Sequence, residues 1–367
     1  MRTVSRCCLV VLLVHLLFSP GCAMQLAEVM VKAPNQGLSV ADVERKPSRA
    51  RFGRETESRF RVDVGTPGVS DASLAVRVLD PSPVPMLGVK LEPVASRDRY
   101  QFALVYAKED QVVEPVPTEP RGTIIVLHGI FGSKDTLPAM WGRVAAGAGY
   151  RSVLVDLRGQ GHSTGDWLTY GVLESRDLVQ VLDELERREL LAGPVGVIGI
   201  SYGGATAIQL AAIDPRVEAV VAFAPFATFE SVVPDFGRAI LGPFAWLVSP
   251  TTTHNAIRYT QHHNGTPPIA ASPLEAIART NAAVLLLHGQ RDRHVPLRHS
   301  RQLLHAARGP AKLVVLEHED HESLAMRPRH SLMQLREEIL NWLSLWLDPN
   351  DPDQKVAEAD VARNITQ

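Results

Sequence analysis

The chain has 367 residues, of which 45% are hydrophobic and 21% charged, with a formal net charge of −2. That supplies enough apolar side chain for one large domain with additions, or for two domains. The near-neutral balance and the lack of a long Lys/Arg run exclude a protein built to grip a polyanionic backbone, so no nucleic-acid partner is expected.

Arg2 and Arg6 precede an apolar run from Cys7 to Phe18, and Ser19, Pro20, Gly21, Cys22 and Ala23 follow it. A positive start, a 12-residue apolar core and small residues at its end predict a secretory leader over residues 1–21. The run is shorter than the ~20 residues a spanning helix needs. Leu17-Phe18-Ser19-Pro20-Gly21-Cys22 resembles a bacterial lipoprotein box, with Ser19 in the place of the usual leucine, and the resemblance implies lipid attachment at Cys22. Gly21-Cys22-Ala23 also fits an ordinary small-x-small cleavage site, which would give a soluble periplasmic or secreted protein. All three cysteines, Cys7, Cys8 and Cys22, fall in this segment, so the body is expected to hold neither a disulfide nor a thiol-bound metal. The expected address is the cell envelope, with Cys22 as the lipid anchor. Ala23 is not the acidic residue that retains many lipoproteins at the inner membrane, which favours the outer one.

Residues 22–70 are rich in charge with weak periodicity and lean basic through Arg45, Lys46, Arg49, Arg51, Arg54 and Arg61. They are expected to form an irregular arm with a solvated basic face. The main domain is expected over 71–347. It opens with strand-like Leu74–Leu79, Met86–Val94 and Tyr100–Ala107, closed by Pro115, Pro117 and Pro120. The rhythm then changes. Thr123–Leu127, Ser152–Val155, Val195–Ile200, Val217–Phe223, Val284–Leu287 and Leu313–Leu316 are short continuous apolar runs, as strands buried on both faces require. Helical stripes alternate with them, including Leu178, Val181, Leu182 and Leu185 at i, i+3, i+4, i+7, and Leu332 to Trp346 near the end. The predicted fold class is α/β, with a doubly wound, mostly parallel sheet. Residues 226–281 interrupt the alternation and are read as a lid insertion; the hydrophilic tail 348–367 is read as disordered.

Gly199-Ile200-Ser201-Tyr202-Gly203-Gly204 joins the strand Val195–Ile200 to a helix over Ala205–Ile213. A serine on a tight strand-to-helix turn lifts its Oγ above the sheet, and the helix N-terminus places N–H groups beside developing negative charge. The glycines let backbone pass close by. His128-Gly129-Ile130-Phe131-Gly132 ends the strand Thr123–Leu127, where a second oxyanion donor is expected. The backbone N–H groups of Tyr202 and Ile130 are the expected pair, with Phe131 as the alternative to Ile130, and His128 is expected to bond within its loop. A nucleophilic serine needs a base, and the base an orienting acid. Asp292 and His321 follow consecutive strands and are 29 residues apart, one strand–helix–strand unit. His318 is a rival base and Asp156 a rival acid. His294 is read as a surface residue. His254, His262 and His263 have no recognised metal-ligand spacing and are read as solvated, so no metal is expected.

In order, the chain carries His128-Gly129, Asp156-Leu157-Arg158-Gly159-Gln160-Gly161-His162-Ser163, Gly199-Ile200-Ser201-Tyr202-Gly203, His288-Gly289-Gln290-Arg291-Asp292 and Asp320-His321-Glu322-Ser323-Leu324. This series resembles the α/β-hydrolase superfamily over about Ser70 to Leu347, and Ser272–Leu324 is similar to its Bem46-like and serine-aminopeptidase-like members. The resemblance implies a serine hydrolase with Ser201, Asp292 and His321 as its triad, no cofactor, and a small-molecule or acyl substrate. It implies a structural turn at Asp156. Asp320 stands where that pattern has glycine. The expected reaction is cleavage of a carboxylic ester through an acyl-enzyme, with thioesterase, lipase and peptidase chemistry open. The alternative is a non-catalytic envelope lipoprotein that keeps the fold as a scaffold.

Overall fold

The computed structural model describes residues 22–34, 57–66, 71–81, 86–93, 100–106, 119–260, 270–326 and 332–348. The leader at 1–21 and the tail beyond 348 lie outside the described residues, as do His262 and His263. In chain order the elements are α1 (Cys22–Val31), β1 (Glu57–Val64), β2 (Ala72–Leu79), β3 (Met86–Pro93), β4 (Tyr100–Tyr106), β5 (Thr123–Leu127), α2 (Leu137–Gly147), β6 (Arg151–Val155), α3 (Val172–Arg187), β7 (Val195–Ile200), α4 (Tyr202–Ala211), β8 (Val217–Phe223), α5 (Phe229–Leu241), a 3₁₀ turn (Gly242–Leu247), α6 (Pro250–Tyr259), α7 (Pro273–Ile277), β9 (Ala283–Gly289), α8 (Arg298–Ala306), β10 (Ala311–Leu316), α9 (His321–Met326) and α10 (Leu332–Leu347).

Eight strands form one sheet in the order β1-β2-β6-β5-β7-β8-β9-β10, and β3 pairs with β4 as a separate hairpin. β1–β2 and β2–β6 are antiparallel; every pair from β6 to β10 is parallel. Successive side chains of a strand point to opposite faces. In β5, Ile125 and Leu127 enter one core with Leu178, Val181, Leu182 and Leu185 of α3. Ile124 and Val126 enter the other with Met140 and Trp141 of α2 and Ile339 and Trp342 of α10. Both faces are covered, which is why these strands read as unbroken apolar runs.

The chain leaves β5 for β6 on one side, then crosses to β7 on the other. This reversal opens a crevice at the C-terminal ends of β5 and β7, where open α/β sheets place their sites.

The segment read as an irregular arm contributes regular structure. β1 is an edge strand whose Phe60, Val62 and Val64 alternate with Arg59, Arg61 and Asp63. Arg61 is not a solvated charge: its guanidinium donates to Ser73 Oγ (3.1 Å), Ser73 O (2.9 Å) and His162 O (3.0 Å), tying β1 to β2 and to the turn after β6. α1 buries Ala27 and Val31 and packs against α6. Between β8 and β9, residues 226–281 hold α5, the 3₁₀ turn, α6 and α7.

Candidate active site

The turn from β7 into α4 holds Ser201 at φ 52°, ψ −108°, a conformation costing a non-glycine residue on the order of 1–3 kcal/mol. The packing around it leaves no alternative. A Cβ at Gly199 would lie 2.3 Å from Gly203 O, and one at Gly203 would lie 2.6 Å from His128 O. The Ser201 N–H donates to Phe223 O at 2.7 Å, locking the turn to β8.

Ser201 Oγ lies 3.0 Å from His321 Nε2, and His321 Nδ1 lies 2.6 Å from Asp292 Oδ2. A carboxylate can only accept, so Nδ1 carries the proton and Nε2 offers its lone pair to the serine hydroxyl. Asp292 is buried, and its Oδ1 accepts the N–H groups of His294 (2.9 Å) and Val295 (2.8 Å). The structure therefore brings Ser201, His321 and Asp292 together in one hydrogen-bonded chain.

The acid loop has a clamp that the sequence did not reveal. His288, at the end of β9, donates from Nε2 to Val295 O (2.7 Å) and accepts at Nδ1 from Ser300 Oγ (2.7 Å). Burial pushes its pKa down, so it is a neutral brace. His294 is also more than a surface residue. Half-buried, its ring lies 5.4 Å from that of His321 and 5.5 Å from that of Phe236 on α5.

Gly129 packs against Ile200 O and Ser201 Cβ, at 3.4 and 3.7 Å from where its own Cβ would stand. The loop after β5 thus runs beside the serine. Phe131 adopts φ 62°, and its N–H donates to Gln160 Oε1 at 2.7 Å. That amide is committed, which leaves the Ile130 N–H as the loop's candidate donor. His128 accepts the Leu157 N–H at Nε2 (3.0 Å) and donates from Nδ1 to Gly129 O (2.8 Å); burial pushes its pKa down. It bonds to its own loop, as expected, and also to the turn after β6.

The Tyr202 side chain has a role besides that expected of its backbone N–H. Its hydroxyl donates to Glu174 Oε1 at 2.8 Å and accepts the Tyr170 N–H at 3.2 Å. Buried Glu174 also accepts from Thr169 N (2.9 Å), Thr169 Oγ1 (2.5 Å) and Gly171 N (2.8 Å). The start of α4 is thereby pinned to the start of α3. Tyr170 extends the link, donating from its hydroxyl to Met30 O of α1 at 2.8 Å.

The rivals lie elsewhere. Asp156 is buried in its own turn, accepting from the backbone of Lys134 and His162 and from the Lys134 ammonium. His318 is exposed, with its Nδ1 3.3 Å from an Arg291 guanidinium nitrogen. His254 is exposed on α6. Among the described residues no group of three His, Cys, Asp or Glu could hold a metal ion. The lipid-attachment residue expected from the sequence, Cys22, begins α1.

The likenesses to known proteins agree with this architecture. The family model of TAP-like protein matches residues 260–341. Uncharacterized protein YqkD of Bacillus subtilis is 26% identical over 228 residues, 61% of this chain and 73% of that protein. Esterase Rv0045c of Mycobacterium tuberculosis is 41% identical over 96 residues, 25% of this chain and 28% of its own. Among solved structures, the Pyrococcus furiosus esterase PF2001 superposes with a TM-score of 0.54 at 18% identity, covering 79% of this chain and 92% of that one. The Pyrococcus horikoshii acylaminoacyl peptidase gives a TM-score of 0.54 at 17% identity, covering 83% of this chain but 44% of that one. At such identities these structures speak for the fold. The model of the X-Pro dipeptidyl-peptidase family (S15) matches residues 70–256, just over half of the chain, and the chain belongs to that family of the α/β-hydrolase superfamily, hydrolases of the esterase and peptidase kind.

Proposed function

We propose that the protein is a serine hydrolase that cleaves a carboxylic ester or related acyl bond through an acyl-enzyme. The observation that carries this reading is the continuous hydrogen-bonded chain from Ser201 through His321 to Asp292. His321 Nε2 takes the hydroxyl proton as Ser201 Oγ attacks the carbonyl carbon. Asp292 holds the tautomer and stabilises the imidazolium. The Tyr202 and Ile130 N–H groups receive the oxyanion, and losing one such donor costs ~10²–10³ in kcat. His321 then returns the proton to the leaving group, and water deprotonated by the same nitrogen releases the acyl group. None of these steps calls on a metal or organic cofactor.

Ser201→Ala is expected to abolish labelling by a fluorophosphonate probe and to lower kcat about 10⁶-fold without unfolding the protein. Wild-type turnover in that variant would remove the reading. The X-Pro dipeptidyl-peptidase family match favours a second substrate class, the peptide amide. Acyl p-nitrophenyl esters of graded length assayed beside X-Pro amides decide between the two.

We also propose export and lipid attachment on Cys22. A mature N-terminal peptide that begins at acylated Cys22 is the expected mass-spectrometric result, and an unmodified peptide from Met24 would mean ordinary secretion.

A further inference from the structure

The insertion after β8 ends in a tip that is costly to leave in water. Trp246 is 78% exposed, Ile240 49% and Phe244 48%, all between the last turn of α5 and the end of the 3₁₀ turn. Large apolar side chains clustered on a surface mark a contact site, and tryptophan favours the boundary between lipid and water. Charge points the same way. From Phe236 to Leu274 there is no Asp or Glu, although the chain has 40 in 367 residues. The same stretch has Arg238 and Arg258. The nearest acid, Asp235, is buried and already shared by Arg238, Arg298 and His299. Glu230 lies further back, in the first turn of α5, and Glu275 follows in α7.

The path of the chain supplies the orientation. α6 follows the tip directly, and α1 packs against α6. α1 begins at Cys22, just after the apolar run Cys7–Phe18, and exposes Met24 and Val29. Ten helical residues span about 15 Å. A leader or a lipid at Cys22 would hold α1, and α6 packed against it, near a bilayer. Among the described residues no helix is long and apolar enough to cross a membrane.

We propose that the Ile240–Trp246 tip docks on an anionic phospholipid surface, with Ile240, Phe244 and Trp246 entering the interfacial layer and the exposed Arg258 facing the headgroups. Such contacts combine buried apolar area with attraction to anionic lipid. The surface would present acyl substrates to the mouth of the site, but the docking stands apart from the catalytic reading and is measured without it.

The test uses the full chain and vesicles with brominated acyl chains, which quench tryptophan on contact. With phosphatidylglycerol present, quenching is expected in the wild type and a clear loss of that component in Trp246→Phe; vesicles of phosphatidylcholine alone should quench far less. Phe244→Ser with Trp246→Ser should weaken partitioning onto the anionic vesicles about tenfold, with hydrolysis of a soluble short-chain ester unchanged. Equal quenching in the wild type and Trp246→Phe would overturn the proposal, since binding would then run through the N-terminus alone. A dimer in solution that dissolves on Trp246→Ser, with no quenching by vesicles, would also overturn it and assign the tip to a second copy.

Discussion

Asp156 follows β6 and Asp292 lies in the loop after β9. Both carboxylates are buried, both accept two backbone N–H groups, and both face the Nδ1 of a histidine: His162 at 3.2 Å and His321 at 2.6 Å. They differ in what else is present. The Lys134 ammonium lies 3.0 Å from Asp156 and competes for the same His162 nitrogen at 3.1 Å. Among the described residues no such cation meets Asp292; its second histidine neighbour, His288, is neutral and 3.6 Å away. On the proposed mechanism, a buried aspartate beside a histidine is thus not enough to make an orienting acid. The charge must be left for the imidazole to use, and the far imidazole nitrogen must reach a hydroxyl, as His321 Nε2 reaches Ser201 Oγ.

The sharpest way to break this comparison is to neutralise each acid in turn. Asp292→Asn is expected to lower kcat about 10⁴-fold, because an amide in that place favours the wrong tautomer of His321. Its denaturation midpoint should move little. Asp156→Asn should leave kcat within about tenfold of wild type, by the same reasoning that His162 holds no nucleophile. Steady-state kinetics on one soluble ester reads both, and an exchange of the two results would transfer the orienting role to Asp156.

Asp156 should instead report in stability. Burial alone would raise its pKa, but the hydrogen bond from His162 and the Lys134 ammonium prevail and hold the carboxyl at about 2, below the ordinary 3.8. A depressed carboxylate pKa stabilises the fold above the ordinary value and loses that contribution as pH falls from about 4 to about 2. The shift corresponds to about 2 kcal/mol. Urea unfolding at pH 7 should find Asp156→Asn weaker by about that amount. Between pH 4 and 2 the wild type should lose this margin, whereas the variant's curve should stay flatter.

The two regions also differ in how far they can be read from sequence. β5, β7 and β8 begin and end at the residues expected, because burial on both faces leaves a run of Val, Ile and Leu with no polar interruption. The Ser201 turn is legible for a related reason: close backbone approach demands glycine at Gly199 and Gly203, and that demand is written locally. β1 is harder. Its Phe60, Val62 and Val64 do alternate, but an edge strand needs only one apolar face, and Arg59, Arg61 and Asp63 on the other blend it into the surrounding charge. His288, Gln160 and the Tyr202 hydroxyl were not legible as site supports, since each acts on a partner outside its own motif: Val295 seven residues on, Phe131 in the loop after β5 and Glu174 in the first turn of α3. The tilted contact of the His294 ring with those of His321 and Phe236 depends on where α5 comes to rest, which no local pattern fixes.

A third aspartate, Asp320, extends the comparison to its weakest member. It follows β10, is exposed, and stands where the resemblance to α/β-hydrolases implies glycine. Its Oδ1 accepts the N–H groups of Glu322 (3.1 Å) and Ser323 (2.8 Å), while Ser323 Oγ accepts the Asp320 N–H (2.9 Å). This is an N-terminal cap on α9, the helix that begins at His321, so the aspartate does by hydrogen bonding what a glycine does by backbone freedom. Exposure limits its worth. Asp320→Ala is expected to cost ~1 kcal/mol of stability and Asp320→Gly only a few tenths. Both variants should keep the pH profile of kcat, since the two nitrogens of His321 meet Asp292 and Ser201. Chemical denaturation with the two variants side by side checks the ranking. A glycine variant weaker than the alanine one would show that the cap is not what shapes this loop, and a shifted kcat profile would give Asp320 a part in holding the imidazole.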